Sequence, residues 1–336
     1  MIELVMTAMV MQPVDEPQPL FESDAVLNVT ISGPFSRLVR RAKRNPQPYA
    51  VRVTVNGMEH NATIEARGLT RRVGGFCTFP PLRLSFPSKP DGASPFAGQG
   101  KLKMVTHCQD KGNYEQVMLR EYAAYRLYNV MTDESLRVRL ANIRYENESG
   151  NEVATRMGFF IEDIDAAADR LGGTEINLPE IGSRWIGQQR AARYALFQYM
   201  IGNLDWSMFR GPQDRHCCHN SKVIGSGKQA RQDLIPVPYD FDMSGWVDAP
   251  YAVAPEGLPV RNVRQRLYRG LCRYGPDTLA LAADLRGRRS ELAAAYRNVP
   301  GMSDGTRGDL DDYLADFFSD ISSDERVRDK ILDDCR

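Results

Sequence analysis

The stretch "RMGFFIEDID" (residues 156–165) lies where the character of the chain changes. Before it, short runs alternate apolar with polar residues and are bounded by Gly, Pro and Asn, which is typical of β-strands. After it, longer runs carry apolar residues at helical spacing. Strands followed by helices predict an α+β protein in two lobes, with a boundary near residue 163. A cleft between two lobes is a usual place for a ligand.

The strand-like runs lie at residues 25–32, 49–55, 61–68, 81–86, 101–107, 136–146 and 156–165. One helix interrupts them at residues 114–131. Its apolar stripe includes Glu121 and is formed by Val117, Ala124, Tyr125 and Tyr128. A carboxylate on an inward-facing stripe needs a cationic partner. Further helices are predicted at residues 181–204, 260–275, 276–299 and 308–335, with a short hairpin between the first two.

We therefore divide the chain into an N-terminal extension (1–22), a β-rich N-terminal lobe with one helix (23–162) and a mainly helical C-terminal lobe (163–336). The extension begins with "MIELVMTAMVM", which is too short to span a bilayer and lacks the basic start of a signal peptide. Two interpretations stay open for it: a plain extension, or the remnant of a leader that begins upstream.

Composition excludes several classes of protein. The 43 basic and 43 acidic side chains cancel, and the isoelectric point is near 6.9, which argues against a nucleic-acid partner. No apolar run reaches the roughly 18 residues that a membrane span needs. The six cysteines form no CxxC pair, so a zinc ribbon is not expected.

The segment "HCCH" (residues 216–219) suggests a metal site at first sight. However, neighbouring side chains diverge, so four adjacent residues cannot easily converge on one tetrahedral zinc ion. Cys217 and Cys218 are instead expected to form a vicinal or long-range disulfide, or simply to pack. His216 and His219 are expected to form hydrogen bonds within the loop.

A second set of polar residues suits a hard cation. Asp205 follows a long helix, Asn220 begins the next apolar run, and Asp240 and Asp242 share one face if "YDFD" is extended. Carboxylate and amide oxygens suit Mg²⁺ or Mn²⁺ with phosphate, and a separate aspartate suits a general base. The order Asp, Asn, Asp follows that of a kinase catalytic loop and its metal aspartate. The alternative is that these residues only form turns.

Several segments, taken in order, resemble those of the spore-coat CotH kinase-like family. They are "FPPLRLSF", "KLKMVTH", "LREYAAYRLYNV", "GFFIEDID", "GNLDWS", "HNSKVI" and "IPVPYDFDMSG", and they cover roughly residues 60–250. The resemblance implies a bilobal protein-kinase-like fold with a β-rich N-terminal lobe and a mainly helical C-terminal lobe. It also implies a phosphotransferase that uses ATP and Mg²⁺ (or Mn²⁺) and acts on a protein or small-molecule hydroxyl.

The resemblance assigns roles to the polar residues of the second half. Asp205 resembles the catalytic base, Asn220 a metal ligand, and Asp240 the aspartate that holds the metal on the phosphates. Asp242 is the second acid of that motif and a further metal ligand. Fifteen residues separate Asp205 from Asn220, so the intervening segment must loop out. Asp214, within that segment, is a rival candidate for the base.

The resemblance also implies a nucleotide site. Glu121 resembles the helix glutamate that pairs with a phosphate-binding cation. That cation is either Lys103 or Arg83, and Lys103 is favoured because a compact ammonium is the usual group. The backbone around Glu162 and Asp163 resembles the segment that faces adenine. "GLTRRVGGF" (68–76) contains Arg71 and Arg72, but it lacks the spacing of a glycine-rich phosphate loop.

Other functions remain open at this point. The chain could be a kinase-like binding or adhesion protein, or it could transfer AMP or glutamate. The presence of Asp205, Asn220, Asp240 and Glu121 together favours an enzyme. Cys77 and Cys108 flank a pair of strands and could form a bridge, which favours an extracytoplasmic location, whereas the need for ATP favours the cytoplasm. The oligomeric state is left open.

Overall fold

Strands in the first half of the chain close on themselves into a barrel. The computed structural model describes residues 19–68, 70–73, 75–110, 113–212 and 216–336. Within these residues the barrel strands are β1 (Leu27–Ser32), β2 (Tyr49–Val55), β3 (Met58–Ala66), β4 (Leu82–Ser85), β5 (Lys101–Val105), β6 (Val138–Glu146) and β7 (Glu152–Ile161). Their order around the barrel is β1-β2-β3-β4-β5-β7-β6. Neighbours are antiparallel except β1 and β6, which are parallel and close the ring.

The prediction of a bilobal protein-kinase-like fold is wrong. Instead of an open sheet in an N-terminal lobe, the strands form a closed seven-stranded mixed barrel, to which a helical region is added. The pairing that closes the barrel joins Leu27 to Ala141 and Ser32 to Glu146. Alternation of apolar residues predicts each strand separately, but it carries no information about which distant strand becomes its neighbour. The last barrel strand ends at Ile161, and the next helix begins at Ile164.

The helices of the described residues lie mostly in the second half. They are α1 (Phe35–Ala42), α2 (Thr70–Val73), α3 (Tyr114–Met131), α4 (Ile164–Arg170), α5 (Gln188–Met200), α6 (Gly275–Gly287), α7 (Arg289–Arg297), α8 (Asp304–Asp320) and α9 (Asp324–Lys330). A small sheet in the order β10-β9-β8 comprises β8 (Thr174–Glu175), β9 (Ser221–Gly225) and β10 (Ile235–Pro238).

Helix α3 connects the barrel to the helical region. The ring of Tyr125 lies 5.7 Å from that of Phe159 on β7, and the ring of Tyr128 lies 4.6 Å from that of Phe197 on α5. Glu121, on the same helix, is only 2% exposed. The prediction that Glu121 faces inward on an apolar stripe is therefore confirmed. A separate core fills the barrel interior, where alternate residues of β1 are buried.

Several predicted helix bounds are wrong. Residues 260–275 form no α-helix and contain only the short 3₁₀ turn Cys272–Tyr274 at their end. The predicted helix at 276–299 is interrupted at Arg288, and the one at 181–204 spans only Gln188–Met200. The run at 156–165 ends earlier than predicted, because the Asp163 side chain accepts a hydrogen bond from the backbone of Asp165 and caps α4.

All six cysteines lie in the described residues, and all are paired. The disulfides join Cys77 to Cys108, Cys217 to Cys218, and Cys272 to Cys335. The predicted bridge between Cys77 and Cys108 and the vicinal alternative for Cys217 and Cys218 are thus confirmed. Of the N-terminal extension, only residues 19–22 are described, and Leu20 is buried. Among the described helices, none is long and apolar enough to cross a membrane.

Candidate active site

The β9–β10 hairpin brings two of the predicted site residues to one end of the small sheet. Its antiparallel register pairs Ser221 with Pro238, so Asn220, just before β9, lies opposite Tyr239, the residue that precedes Asp240. The backbone N–H of Tyr239 donates to the carbonyl of Asn220 at 3.2 Å. Asn220 and Asp240 have φ angles of +46° and +63°. This left-handed backbone is unfavourable for residues other than glycine, and such strain is often found at functional sites.

Asp205 reaches the same place from the end of α5. Its backbone N–H donates to the side-chain oxygen of Asn203 at 3.0 Å. Ser207 and His219 form an isolated antiparallel bridge, which brings Asn220 back to Asp205. The amide nitrogen of Asn220 then donates to Asp205 Oδ2 at 3.0 Å and to the Asp205 carbonyl at 2.8 Å. Asp214 lies outside the described residues.

His219 holds the other oxygen of the Asp205 carboxylate. Its Nε2 lies 2.6 Å from Asp205 Oδ1, and this hydrogen bond raises the pKa of His219. The prediction that His219 bonds within the loop is confirmed, but its partner is the candidate base. With Asn220 on one oxygen and His219 on the other, the orientation of the Asp205 carboxylate is restricted. Sequence reasoning missed this contact. The available signal was that His219 directly precedes Asn220, which was itself predicted to belong to the site.

Arg71 lies among three carboxylates. Its Nη1 donates to Glu121 at 2.8 Å, its Nη2 to Asp240 at 2.9 Å, and its Nε lies 3.1 Å from Asp242. The cation that pairs with Glu121 is therefore Arg71, and the prediction of Lys103 or Arg83 needs correction. Arg71 belongs to α2, in the connection between β3 and β4, and only the folded path of that connection carries it to Glu121.

The two cations predicted to pair with Glu121 have other surroundings. Arg83 forms a cross-strand ion pair with Glu65 at 2.9 Å. The ammonium of Lys103 lies 4.8 Å from the centre of the Tyr239 ring. Burial, together with nearby positive charges on Arg67 and Lys222, lowers the pKa of Lys103 to about 8. Among the described residues, no carboxylate oxygen lies within 4.0 Å of the Lys103 ammonium.

The residues predicted near adenine have structural roles. Glu162 is buried and accepts hydrogen bonds from Arg170 at 2.8 and 3.0 Å and from the backbone of Arg137 at 2.9 Å. Its own N–H donates to the Arg137 carbonyl at 2.9 Å. The Asp163 side chain caps α4. The side chains of Glu162 and Asp163 are thus occupied, and any contact with a base would come from other atoms.

One cleft of about 690 Å³ collects most of the remaining candidates. Its walls include Asp205, Asn220, Asp240, Asp242, Arg67 and Arg71. The first four were predicted from the sequence, whereas the two arginines were not assigned a role. His216, Cys218 and His219 also line this cleft, so the looped-out segment forms part of its wall.

The carboxylates of the cleft are unevenly exposed. The Asp240 side chain is 36% exposed, whereas Asp242 is buried. Burial raises the pKa values of Asp242 and Glu121, although the charge on Arg71 opposes this. The condition under which the two aspartates were predicted to share a face, an extended segment, is not met, because β10 ends at Pro238 and Asp242 lies in a turn. They converge on Arg71 because the intervening Phe241 is buried in the core.

The donor set is chemically suited to Mg²⁺ or Mn²⁺. Asp240 and Asp242 supply carboxylate oxygens, and Asn220 can supply its amide oxygen because its amide nitrogen faces Asp205. However, in the part of the chain that the structure describes, no group of three or more His, Cys, Asp or Glu side chains is arranged to bind a metal. Arg71 lies against both aspartates.

No protein-family model and no curated protein matches the chain.

Proposed function

We propose that this protein is a phosphotransferase that moves a phosphoryl group from ATP, with Mg²⁺ or Mn²⁺, to a hydroxyl of a protein or small molecule. The resemblance to the CotH family led to this hypothesis. The observation that supports it best is the convergence of Asp205, Asn220 and Asp240, from three separate segments, on one cleft beside Arg71. Phosphoryl transfer depends mainly on positioning and charge neutralisation, which such a set supplies.

Cations around the cleft suit the phosphates of ATP. Arg67 lines the cleft, and burial lowers its pKa. Lys103 lies close enough to Asp240 and Arg67 for their charges to act on its pKa. A phosphate group would compensate for the cost of burying these positive charges. We therefore assign Arg67, Arg71 and Lys103 to the phosphates.

Asn220, Asp240 and Asp242 would hold the divalent cation. When bound, the cation neutralises charge on the phosphate oxygens. Asp240 is the most exposed of the aspartates that contact Arg71, so its carboxylate is accessible from the cleft. Asp242 is buried behind it and would complete the negative charge of the site.

Asp205 is suited to accept the proton of the acceptor hydroxyl. As that proton moves to the carboxylate, the acceptor oxygen forms a bond to the γ-phosphorus and the bond from phosphorus to ADP breaks. Hydrogen bonds from His219 and Asn220 hold the carboxylate in place during this step. The Asp205 side chain is also 36% exposed, so a hydroxyl can approach it.

The proposal is tested with the purified protein, Mg²⁺ and ATP. We expect Mg²⁺ with ATP to raise the melting temperature. We also expect incubation to release ADP as the phosphoryl group passes to water or to a hydroxyl of the protein itself. Asp240→Asn should abolish both effects while leaving the melting temperature without ligand nearly unchanged. The control is Asp24→Asn, because Asp24 is an exposed residue paired with Arg126. Release of pyrophosphate would indicate AMP transfer, and no response to any nucleotide would contradict the proposal.

A further inference from the structure

We propose, on the basis of the function above, that Arg71 is an internal cation that competes with the divalent metal for Asp240 and Asp242. The protein would then bind free metal weakly and accept it together with a nucleoside polyphosphate. The phosphate would draw the guanidinium away from the aspartates. Arg71 would thus determine that the substrate is the metal–nucleotide complex.

The contacts of Arg71 are the first support for this inference. Each of its three nitrogens contacts a carboxylate, with Nη2 approaching both Asp240 at 2.9 Å and Glu121 at 3.4 Å. Arg71 is 8% exposed, so these ion pairs are little screened by water. A guanidinium held in this way leaves little room for a metal ion on the same oxygens.

The second support concerns which partner can move. The backbone of Asp240 is anchored, because its N–H donates a hydrogen bond to the Tyr125 hydroxyl at 3.0 Å. The next residue, Phe241, packs its ring 4.6 Å from that of Tyr125. The backbone that carries the Asp240 carboxylate is therefore held in place by the core. Arg71 has a long side chain on the four-residue helix α2, so it is the partner that can change position.

The third support is the balance of charge. Glu121, Asp240 and Asp242 offer up to three negative charges to one guanidinium. A divalent cation on the aspartates would be repelled by Arg71 at its present position. A phosphate group removes this conflict, because guanidinium binds phosphate oxygens in bidentate geometry.

Other cations can receive the first phosphate. Arg67 lines the cleft near Arg71, and neither it nor Lys103 has a carboxylate within ion-pairing distance among the described residues. A polyphosphate can therefore bind to these two cations before Arg71 leaves the aspartates. By linkage, the nucleotide must then strengthen metal binding by the same factor by which metal strengthens nucleotide binding.

The test measures binding of Mn²⁺ by electron paramagnetic resonance and binding of ADP by calorimetry, without any turnover. In the wild type, ADP should tighten Mn²⁺ binding by at least about ten-fold, a typical coupling between two sites. Arg71→Met should bind Mn²⁺ alone about ten-fold more tightly than the wild type and should lose most of the coupling. The matched control is Arg72→Met, because Arg72 lies on the same helix but bonds to the carbonyls of Gly68 and Ala42.

Each result has a distinct meaning. Unchanged or weaker Mn²⁺ binding in Arg71→Met, with Mn²⁺ and ADP still bound by the wild type, would overturn the role of Arg71 alone. Absence of Mn²⁺ and ADP binding in the wild type, alone or together, would overturn the proposed function as well. If Arg71→Met does not fold, the double variant Arg71→Met/Glu121→Gln is used in its place. The second change neutralises Glu121, whose buried charge has lost its partner. The coupling between Mn²⁺ and ADP binding in the wild type is a test that needs no variant. Its absence would contradict the inference.

Discussion

Arg71 and Glu121 form a buried ion pair whose two members depend on each other. Glu121 is 2% exposed and Arg71 8% exposed, so either charge would be stranded in a poorly solvated place without its partner. Removing one partner of a buried pair typically costs about 3–5 kcal/mol. A residue that binds substrate can thus also be required for stability, and the two effects have to be measured separately.

A double-mutant cycle should detect this pair. We expect Arg71→Ala and Glu121→Ala each to lower the free energy of unfolding strongly, and the double variant to cost about 1–3 kcal/mol less than the sum. Urea denaturation measures all three variants. The control cycle uses Arg83 and Glu65, a partly exposed pair whose contribution should stay below about 1 kcal/mol. Strict additivity at Arg71 and Glu121 would show that the buried contact is absent in solution.

Asp205 should affect transfer rather than nucleotide binding. Asp205→Asn keeps the shape of the side chain but removes the proton acceptor, so we expect transfer to fall at least about 100-fold. The affinity for ADP should be nearly unchanged, because Asp205 lies on the acceptor side of the proposed mechanism. Calorimetry and product analysis separate these two quantities. If Asp214→Asn abolishes transfer and Asp205→Asn does not, Asp214 is the base.

At the scale of elements, the irregular segment at residues 260–271 supports the loop that carries Asp205. Arg269 donates through Nη1 to the carbonyls of Leu204 at 2.6 Å and Trp206 at 2.9 Å, on either side of Asp205. Its guanidinium also lies 5.0 Å from the centre of the Trp206 ring. The end of this segment is fixed by the disulfide between Cys272 and Cys335. A stretch without helix or strand is thus well connected through its side chains.

Arg269→Met should loosen this loop without unfolding the protein. The carbonyls of Leu204 and Trp206 would lose a charged hydrogen-bond donor, which costs about 1–3 kcal/mol. Opening of the loop should therefore become easier, and the amides of Asp205 and Ser207 should exchange hydrogen about ten-fold faster or more. Mass spectrometry of the peptide that contains them measures this. Amides of β1 should not change. Arg273→Met is the control, since Arg273 lies near Arg269 but contacts Ser183 and Tyr274. Equal exchange rates of these amides in the two variants would contradict the proposed role of Arg269 in supporting the loop.

At the scale of the whole molecule, we expect a buried histidine beside the barrel core to make stability depend on pH. His107 is 1% exposed, and its ring stacks on that of Phe79 at 4.9 Å. Burial lowers the pKa of His107 to about 4. Asp110 lies 3.3 Å from His107 Nε2 and favours the charged form, but it is 65% exposed and its charge is largely solvated. Burial therefore outweighs the nearby carboxylate.

The free energy of unfolding should fall between about pH 6.5 and pH 4 because of His107. In this range the unfolded chain binds a proton on His107 and the folded chain does not, so lowering the pH favours unfolding. The loss at pH 4 should be about 3 kcal/mol, from 1.36 kcal/mol per pKa unit. His107→Gln should flatten this part of the profile in urea denaturation at a series of pH values. His60→Gln serves as the control, and an unchanged slope in His107→Gln would contradict the prediction.

Features that depend on local spacing could be predicted from the sequence. The inward position of Glu121 follows from the helical period, and most strands of the barrel follow from alternation, because both periods are set by the backbone alone. The polar residues Asp205, Asn220 and Asp240 could be selected by their chemistry and their order. The bridge between Cys77 and Cys108 could be proposed from the strands that they flank.

Contacts between distant segments were decided only by the tertiary structure. Alternation in β1 is compatible with many neighbours, so closure of the barrel by β6 depends on how the whole chain packs. Several cations could satisfy Glu121, and Arg71 does so because the connection between β3 and β4 folds over the cleft. Likewise, His219 meets Asp205 only because the loop between them returns. Local period and residue type determine what each segment can form, whereas the path of the chain in space determines which side chains meet.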